Sequence, residues 1–316
     1  MDRNLALEFV RVTEAAAIAA AGWIGRGDKI AADQAAVDAM RARFNQIDFS
    51  GIVVIGEGKK DEAPELYTGE QVGTGKGPEM DIAVDPLEAT TSVALGRPNA
   101  LCVIATGPRG SLFSAPDTRM EKLVVGPAAR GVVDLDAPVN VNLQNVAKAL
   151  GKEVSEVVVM VLDRERHQGL MQEIRTAGAR VRLITDGDIA SVATCFSESG
   201  FDVLMGSGGS TEAVLTAAAV KILGGEVLCR FVRKDEADEQ AIREAGIKDI
   251  KQVFRAEDLA RGQQLTFTAT GVIDGPILKG VLFRSHDIVT HSMVLRGTSG
   301  TLRYVTAHHA VAQSTP

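Results

Sequence analysis

The chain has 316 residues, 45% hydrophobic and 24% charged, which is ordinary for a globular protein and long enough for one large or two ordinary domains. Its formal net charge is −7 and no Lys/Arg block stands out, which argues against nucleic acid as the main partner. No apolar run approaches ~18 residues, so no membrane span is expected, and Cys102, Cys195 and Cys229 are widely spaced and read as small buried thiols of a reducing, cytoplasmic setting.

Leu5, Phe9, Val12, Ala16 and Ala20 recur at helical spacing and predict an amphipathic helix over 4–24, which does not have the pattern of a signal peptide. Gly25-Arg26-Gly27-Asp28-Lys29 breaks it, and a second helix is predicted from Ala31 to Asn45. An apolar strand at 52–55 leads into a long polar connection, Gly56 to Glu79, of the kind that is often functional. Strands are predicted near 81–85, 100–106 and 111–115, giving a first half, 1–150, of helices on an antiparallel or mixed sheet. The second half, 151–316, alternates strand and helix: strand 157–162, helix 166–177, strand 181–184, helix 188–198, strand 201–205, helix 211–223, strand 226–228. That rhythm predicts an α/β fold with βαβ units on a parallel sheet. Residues 265–305 read as strands again, with their sheet left open.

The chemistry-bearing residues gather at predicted strand ends. Strand 81–85 ends in Asp85-Pro86-Leu87-Glu88-Ala89-Thr90, where the proline is expected to stop the strand, and strand 52–55 ends in Gly56-Glu57-Gly58. Carboxylates at strand ends suit hard divalent cations, which take oxygen ligands and bring phosphates with them. The adjacent Thr90 is placed to hold a water for attack on phosphorus. Together these read as a metal-dependent phosphoryl-hydrolase centre; singly, each acid is equally an exposed strand end.

In an open α/β sheet, ligands bind beyond the carboxyl ends of the strands. Those ends carry Asp163 to His167, Asp186-Gly187-Asp188, and Gly206 to Glu212, so all three are expected on one edge. The glycine-rich Gly206–Thr211 stretch reads as an anion-binding loop at a helix N-terminus, or as a plain turn capped by Ser210 or Thr211. Arg164 and Arg166 read as a phosphate fork or as surface arginines, Asp186 and Asp188 as sugar-hydroxyl acceptors or a helix start, and Lys29 as a phosphate ligand or a turn residue. No dinucleotide fingerprint is present, which sets aside a nicotinamide dehydrogenase.

Over Arg3 to about His308 the chain resembles the class II, GlpX-like fructose-1,6-bisphosphatases of the lithium-sensitive, metal-dependent sugar-phosphatase superfamily. The stretches that carry the resemblance include Arg11-Val12-Thr13-Glu14-Ala15-Ala16, Gly25 to Lys29, Val54-Ile55-Gly56-Glu57-Gly58, Asp61-Glu62-Ala63-Pro64, Asp81 to Pro86, Met120-Glu121-Lys122-Leu123 and Asp186-Gly187-Asp188. The resemblance implies an α/β/α/β/α sandwich that hydrolyses fructose 1,6-bisphosphate with Mg²⁺ or Mn²⁺ and forms a homo-oligomer, a dimer or tetramer. It implies Asp33, Glu57, Asp85, Glu88 and Glu212 as metal ligands, and Lys29, Asp61 and Thr90 as the groups that organise water and phosphate. It implies substrate contacts from Glu88, Ala89, Thr90, Arg119, Arg164, Glu165, Arg166, Asp186, Gly187, Asp188 and Gly209. The chain departs from the family pattern at Ala89, usually Gly, at Arg119, usually Tyr, and at Ser210 to Ala213, which lack the usual Pro and second Gly. Alternatives are a sedoheptulose 1,7-bisphosphatase or inositol phosphatase of the same fold, and a non-catalytic sugar-phosphate sensor.

Overall fold

The computed structural model describes residues 5–56, 58 and 66–310. In chain order the elements begin α1 (Leu5–Ala21), α2 (Lys29–Phe44), β1 (Ser50–Ile55), β2 (Gln71–Val72), β3 (Glu79–Glu88), α3 (Thr90–Leu95), β4 (Ala100–Pro108) and β5 (Arg119–Val125). They continue with α4 (Val139–Leu150), β6 (Val158–Leu162), α5 (Gln168–Thr176), β7 (Arg180–Ile184), β8 (Val203–Gly209), α6 (Ser210–Ile222), β9 (Glu226–Val232), α7 (Glu236–Glu244), β10 (Phe254–Arg255) and α8 (Ala256–Leu259). The last four are β11 (Thr266–Ile273), β12 (Leu282–Phe283), β13 (Asp287–Arg296) and β14 (Thr301–Ala310).

The strands form two mixed sheets, one ordered β12-β13-β11-β4-β3-β1-β2 with β14 on β13, the other β10-β9-β5-β8-β6-β7. Three hydrophobic cores set the layering. Under α1 and α2, Phe9 meets Phe49 and Phe44 edge-on, with ring centroids 5.4 and 6.1 Å apart, against Val53, Ile82 and Ile104 of the first sheet. On the other face of that sheet lies α6, which is buried at Ala213, Val214, Leu215, Ala217, Ala218, Ala219 and Val220. The middle of this helix, Ala213 to Val220, is buried on every side, and its small residues let both sheets close on it. The far face of the second sheet buries Leu123, Val159 and Val161 under α4 and α5. Helix, sheet, helix, sheet, helix is therefore the order of layers, and the mixed α/β class expected from the sequence is the one observed.

Several local expectations are corrected. Pro86 does not stop the strand: β3 runs on to Glu88, with a register shift against β4 between Asp85 and Glu88. An irregularity of that kind tolerates a residue that cannot donate to the ladder. Residues 111–115 are not a strand; Leu112 makes one isolated bridge to Ala260, and its amide donates to Asp81 Oδ2 at 3.1 Å. Helix 188–198 is wound as 3-10 turns, Asp188–Cys195 and Ser197–Ser199. The glycine-rich stretch is not a loop: Gly206 to Gly209 end β8 and pair with Lys122 to Arg119 of β5. Nor is the second sheet all parallel. β6 pairs in parallel with β7 and β8, while β5 enters antiparallel between β8 and β9. The strands of 265–305 return to the first sheet, where β11 lies between β4 and β13.

Candidate active site

A cleft of about 490 Å³ opens where the carboxyl ends of β3, β6, β7 and β8 converge. Each contributing element has a local reason to deliver its residues there. Asp28 caps α2, its Oδ1 accepting from the Ala31 amide at 2.9 Å, and one turn on Asp33 reaches the cleft. Asp85 and Glu88 come from the irregular end of β3, and Ala89 and Thr90 from the start of α3. Arg164 and Arg166 follow β6, while Asp186, Gly187 and Asp188 follow β7. Gly208 and Gly209 end β8, and Thr211 and Glu212 open α6. The three strand-end segments expected on one edge are thus brought to one cleft.

Among the described residues seven carboxylates line it, Asp33, Asp85, Glu88, Asp117, Asp186, Asp188 and Glu212, against two guanidiniums, Arg164 and Arg166. For three of them, Asp33, Glu88 and Asp188, burial disfavours the ionised form, and like charge adds to it at Glu88 and Asp188. Asp33 is pushed up to about 6 by burial. Burial, and then the neighbouring Asp188 carboxylate, push Glu88 well above the usual carboxylate range, against the pull of the Ile189 amide that donates to Glu88 Oε1 at 2.8 Å. Asp188 is raised chiefly by burial, although its Oδ2 accepts from Lys122 Nζ at 2.6 Å. Burial pulls Lys122 down, but Asp188 and Glu212 outweigh it and hold the ammonium charged. The other oxygen, Asp188 Oδ1, is buried without a hydrogen-bond partner.

The donor set among the described residues is all oxygen and richer in acidic than in basic groups, which fits a hard divalent cation. Among the described residues no three His, Cys, Asp or Glu side chains already form a closed cage. Magnesium-type sites use one or two carboxylates and complete their shell with water and phosphate. The glycines of β8 leave room for these acids: a Cβ on Gly208 would fall 1.8 Å from Asp188 Oδ2, and one on Gly209 would fall 1.9 Å from Glu212 Oε2.

Not every expected residue reaches the cleft. Glu57 and Asp61 lie outside the described residues, though Gly56 and Gly58 on either side of Glu57 line the cleft. Lys29 is exposed at the start of α2, Glu165 is exposed after Arg164, and neither is a lining residue. Arg119 is not one either; it pairs with Gly209 across the β5–β8 ladder, and its charge helps lower Arg166 after burial has done so. Ser210 is not free for a ligand: its hydroxyl is fully buried, donates to the Pro116 carbonyl at 2.5 Å and accepts from the Thr118 amide at 3.0 Å.

Other residues shape the site unannounced. Asn99, left-handed at φ 70°, donates through its amide to the carbonyls of Asp186 at 2.7 Å and Gly187 at 3.1 Å. Asp117 lines the cleft. Lys122 lies on the same face of β5 as the core residues Met120 and Val124, and a lysine in an inward register was the available signal that it needed a buried partner. His167 and Ser207 sit beside Arg166, and nothing in their spacing marks them.

The chain is similar to known proteins over almost its whole length. A family model described as bacterial fructose-1,6-bisphosphatase, glpX-encoded, matches residues 3–309. The fructose-1,6-bisphosphatase 1 class 2 of Escherichia coli (strain K12) is 44% identical over 329 aligned positions, which cover 100% of this chain and 98% of that protein. The class 2 fructose-1,6-bisphosphatase of Shigella flexneri matches with the same identity and coverage.

Proposed function

Because the chain belongs to the glpX-encoded bacterial fructose-1,6-bisphosphatase family, we infer that it hydrolyses the 1-phosphate of fructose 1,6-bisphosphate. The products are fructose 6-phosphate and inorganic phosphate. The observation that carries this reading is the cleft itself, in which seven carboxylates and two guanidiniums face one space. A carboxylate-rich wall repels a phosphate unless cations intervene, and the guanidiniums fit the phosphate that does not react.

Asp33, Asp85, Glu88 and Glu212, with Glu57, are the residues that would hold Mg²⁺ or Mn²⁺. Bound there, such ions neutralise phosphate oxygens and the leaving oxygen, and make water a better nucleophile. The chain's own groups then have distinct tasks. Thr90, at the start of α3, orients the attacking water through its hydroxyl, and Asp61 accepts the water's proton. As water adds to phosphorus, the bond from phosphorus to the C1 oxygen breaks and that oxygen takes up a proton from solvent. Lys29, exposed one helical turn before Asp33 and outside the cleft lining, would act on the reacting phosphate through its charge at longer range. Asp186 and Asp188, flanking Gly187, accept from sugar hydroxyls, and the backbone of Glu88 to Thr90 and of Gly209 borders the sugar. Arg164 and Arg166, which line the cleft, hold the distal phosphate, and Arg119, outside the lining, adds its charge to theirs.

Release of inorganic phosphate from fructose 1,6-bisphosphate with Mg²⁺ or Mn²⁺ tests the reading, with Asp85→Asn as control. Metal-dependent release in the wild type, reduced at least ~100-fold in the variant, is the expected result. Binding of the bisphosphate without release would instead identify a sensor.

A further inference from the structure

Strands β6 and β8 run in parallel and pair only at Val159↔Val203 and Met160↔Leu204. Beyond that point the imidazole of His167 spans the two strands. Its Nε2 accepts from the Ser207 amide of β8 at 2.9 Å, which fixes the proton on Nδ1, and Nδ1 donates to the Leu162 carbonyl of β6 at 2.8 Å. The ring therefore stands where a direct strand-to-strand bond would be, and holds the two carboxyl ends at a set separation. It is buried and packs against Gly206, where a Cβ would fall 3.2 Å from Cε1 and Nε2.

What the ring holds is the anchor of Arg166. The Arg166 guanidinium donates to Ser207 twice, Nε to Oγ at 3.0 Å and Nη2 to the carbonyl at 2.7 Å. Arg166 lines the cleft, whereas His167 and Ser207 do not. Three arginines, Arg119, Arg164 and Arg166, bear electrostatically on the ring and, after burial, help keep it neutral, which preserves the lone pair that the Ser207 amide needs. A planar ring with a donor and an acceptor at fixed separation is a stiffer spacer than a flexible side chain.

We propose that His167 is a positioning residue: through Ser207 it sets the reach of the Arg166 guanidinium from the carboxylate end of the cleft, and so selects sugar bisphosphates over monophosphates. This rests on the bisphosphatase reading above. His167 touches no part of the substrate; its effect passes entirely through Ser207 and Arg166.

The test is steady-state phosphate release, with Mg²⁺ or Mn²⁺, from fructose 1,6-bisphosphate and from fructose 1-phosphate, which lacks the distal group. Wild type, His167→Ala, His167→Gln, Arg166→Ala and the His167→Ala/Arg166→Ala double variant are compared. In His167→Ala the preference for the bisphosphate, as a ratio of kcat/KM values, is expected to fall about tenfold, mostly through KM. His167→Gln, whose amide also offers a donor and an acceptor, restores most of the preference. On the Arg166→Ala background the His167 change adds nothing to the loss. Should His167→Ala not fold, Ser207→Ala decides: it keeps the backbone clasp, removes the hydroxyl, and lowers the same ratio by a smaller factor. Equal losses on both substrates, or losses that add in the double variant, would overturn the proposal while leaving the bisphosphatase standing. A wild type inert on the bisphosphate would overturn both.

Discussion

At Ala89 the backbone is left-handed, φ 71° and ψ 49°, between two residues that line the cleft, Glu88 and Thr90. An alanine there brings its Cβ against the following carbonyl, at a cost of about 1–2 kcal/mol, which glycine avoids. Glycine gives back part of that gain as unfolded-chain entropy. Ala89→Gly is therefore expected to raise stability by about 1 kcal/mol, read as a midpoint increase of about 2 °C in a thermal melt. A lower midpoint would mean that the methyl is held by packing worth more than the strain. The departure from the family's glycine was visible in the sequence, but the left-handed backbone that gives it meaning was not. Asp188 is legible in a similarly partial way. Its place before a helix suggested a cap, whereas its Oδ2 is held by a buried lysine 66 residues earlier in the chain.

Strand β8 shows why elements were easier to read than their ends. Val203 to Met205 is an apolar run that any strand reading finds, but Gly206-Ser207-Gly208-Gly209 has no side-chain pattern and reads as a loop. It is strand because β5, from more than 80 residues earlier, supplies its partner, and pairing over that distance leaves no local trace. The same blindness applies to Pro86 inside β3, where an irregularity in a neighbouring ladder makes room for it. Helices α1, α2, α5 and α6 were all legible to within a few residues, because a helix carries its periodicity in its own sequence. The glycines of β8 have a consequence of their own. In Gly208→Ala the new Cβ would lie 1.8 Å from Asp188 Oδ2, so the carboxylate must leave Lys122 or the strand must shift. Such overpacking costs about 1–3 kcal/mol, and any loss of the buried ion pair adds to it. A reduced midpoint in denaturant and a fall in phosphatase activity are expected together; an unchanged midpoint would show that Asp188 has another place to go.

The molecule as a whole is two sheets that exchange strands. β5 precedes residue 150 yet sits inside the second sheet, and β11 to β14 follow residue 265 yet belong to the first. Periodicity identifies each of these strands but says nothing about which sheet receives it, so the layering was an expectation from family resemblance rather than from pattern. The interleaving also determines how the site is assembled. Asp33, Asp85 and Glu88 come from the first sheet and its helices, while Asp188 and Glu212 come from the segments that join or cross the second. Closing the layers presses these acids together, so the folded protein opposes its own cleft until positive charge enters it. For the metal-free protein the sign follows from Asp33, Glu88 and Asp188, which are all raised. The folded state binds their protons more tightly than the unfolded state, so this contribution to stability is present at acid pH. It is lost as pH rises from the ordinary carboxylate range, about 4, through the folded value of about 6 for Asp33. Protein treated with EDTA and dialysed is therefore expected to melt lower at pH 7.5 than its carboxylate-neutralised variants Asp33→Asn or Glu88→Gln. Adding Mn²⁺ or Mg²⁺ at about 100 times its dissociation constant should stabilise the wild type by about 2.7 kcal/mol. The variants should gain much less, because they have lost both the repulsion and a ligand. Calorimetry with and without cation separates the outcomes: equal gains in wild type and variants would place the ion elsewhere, and no gain in any of them would remove the cation from the account of this cleft.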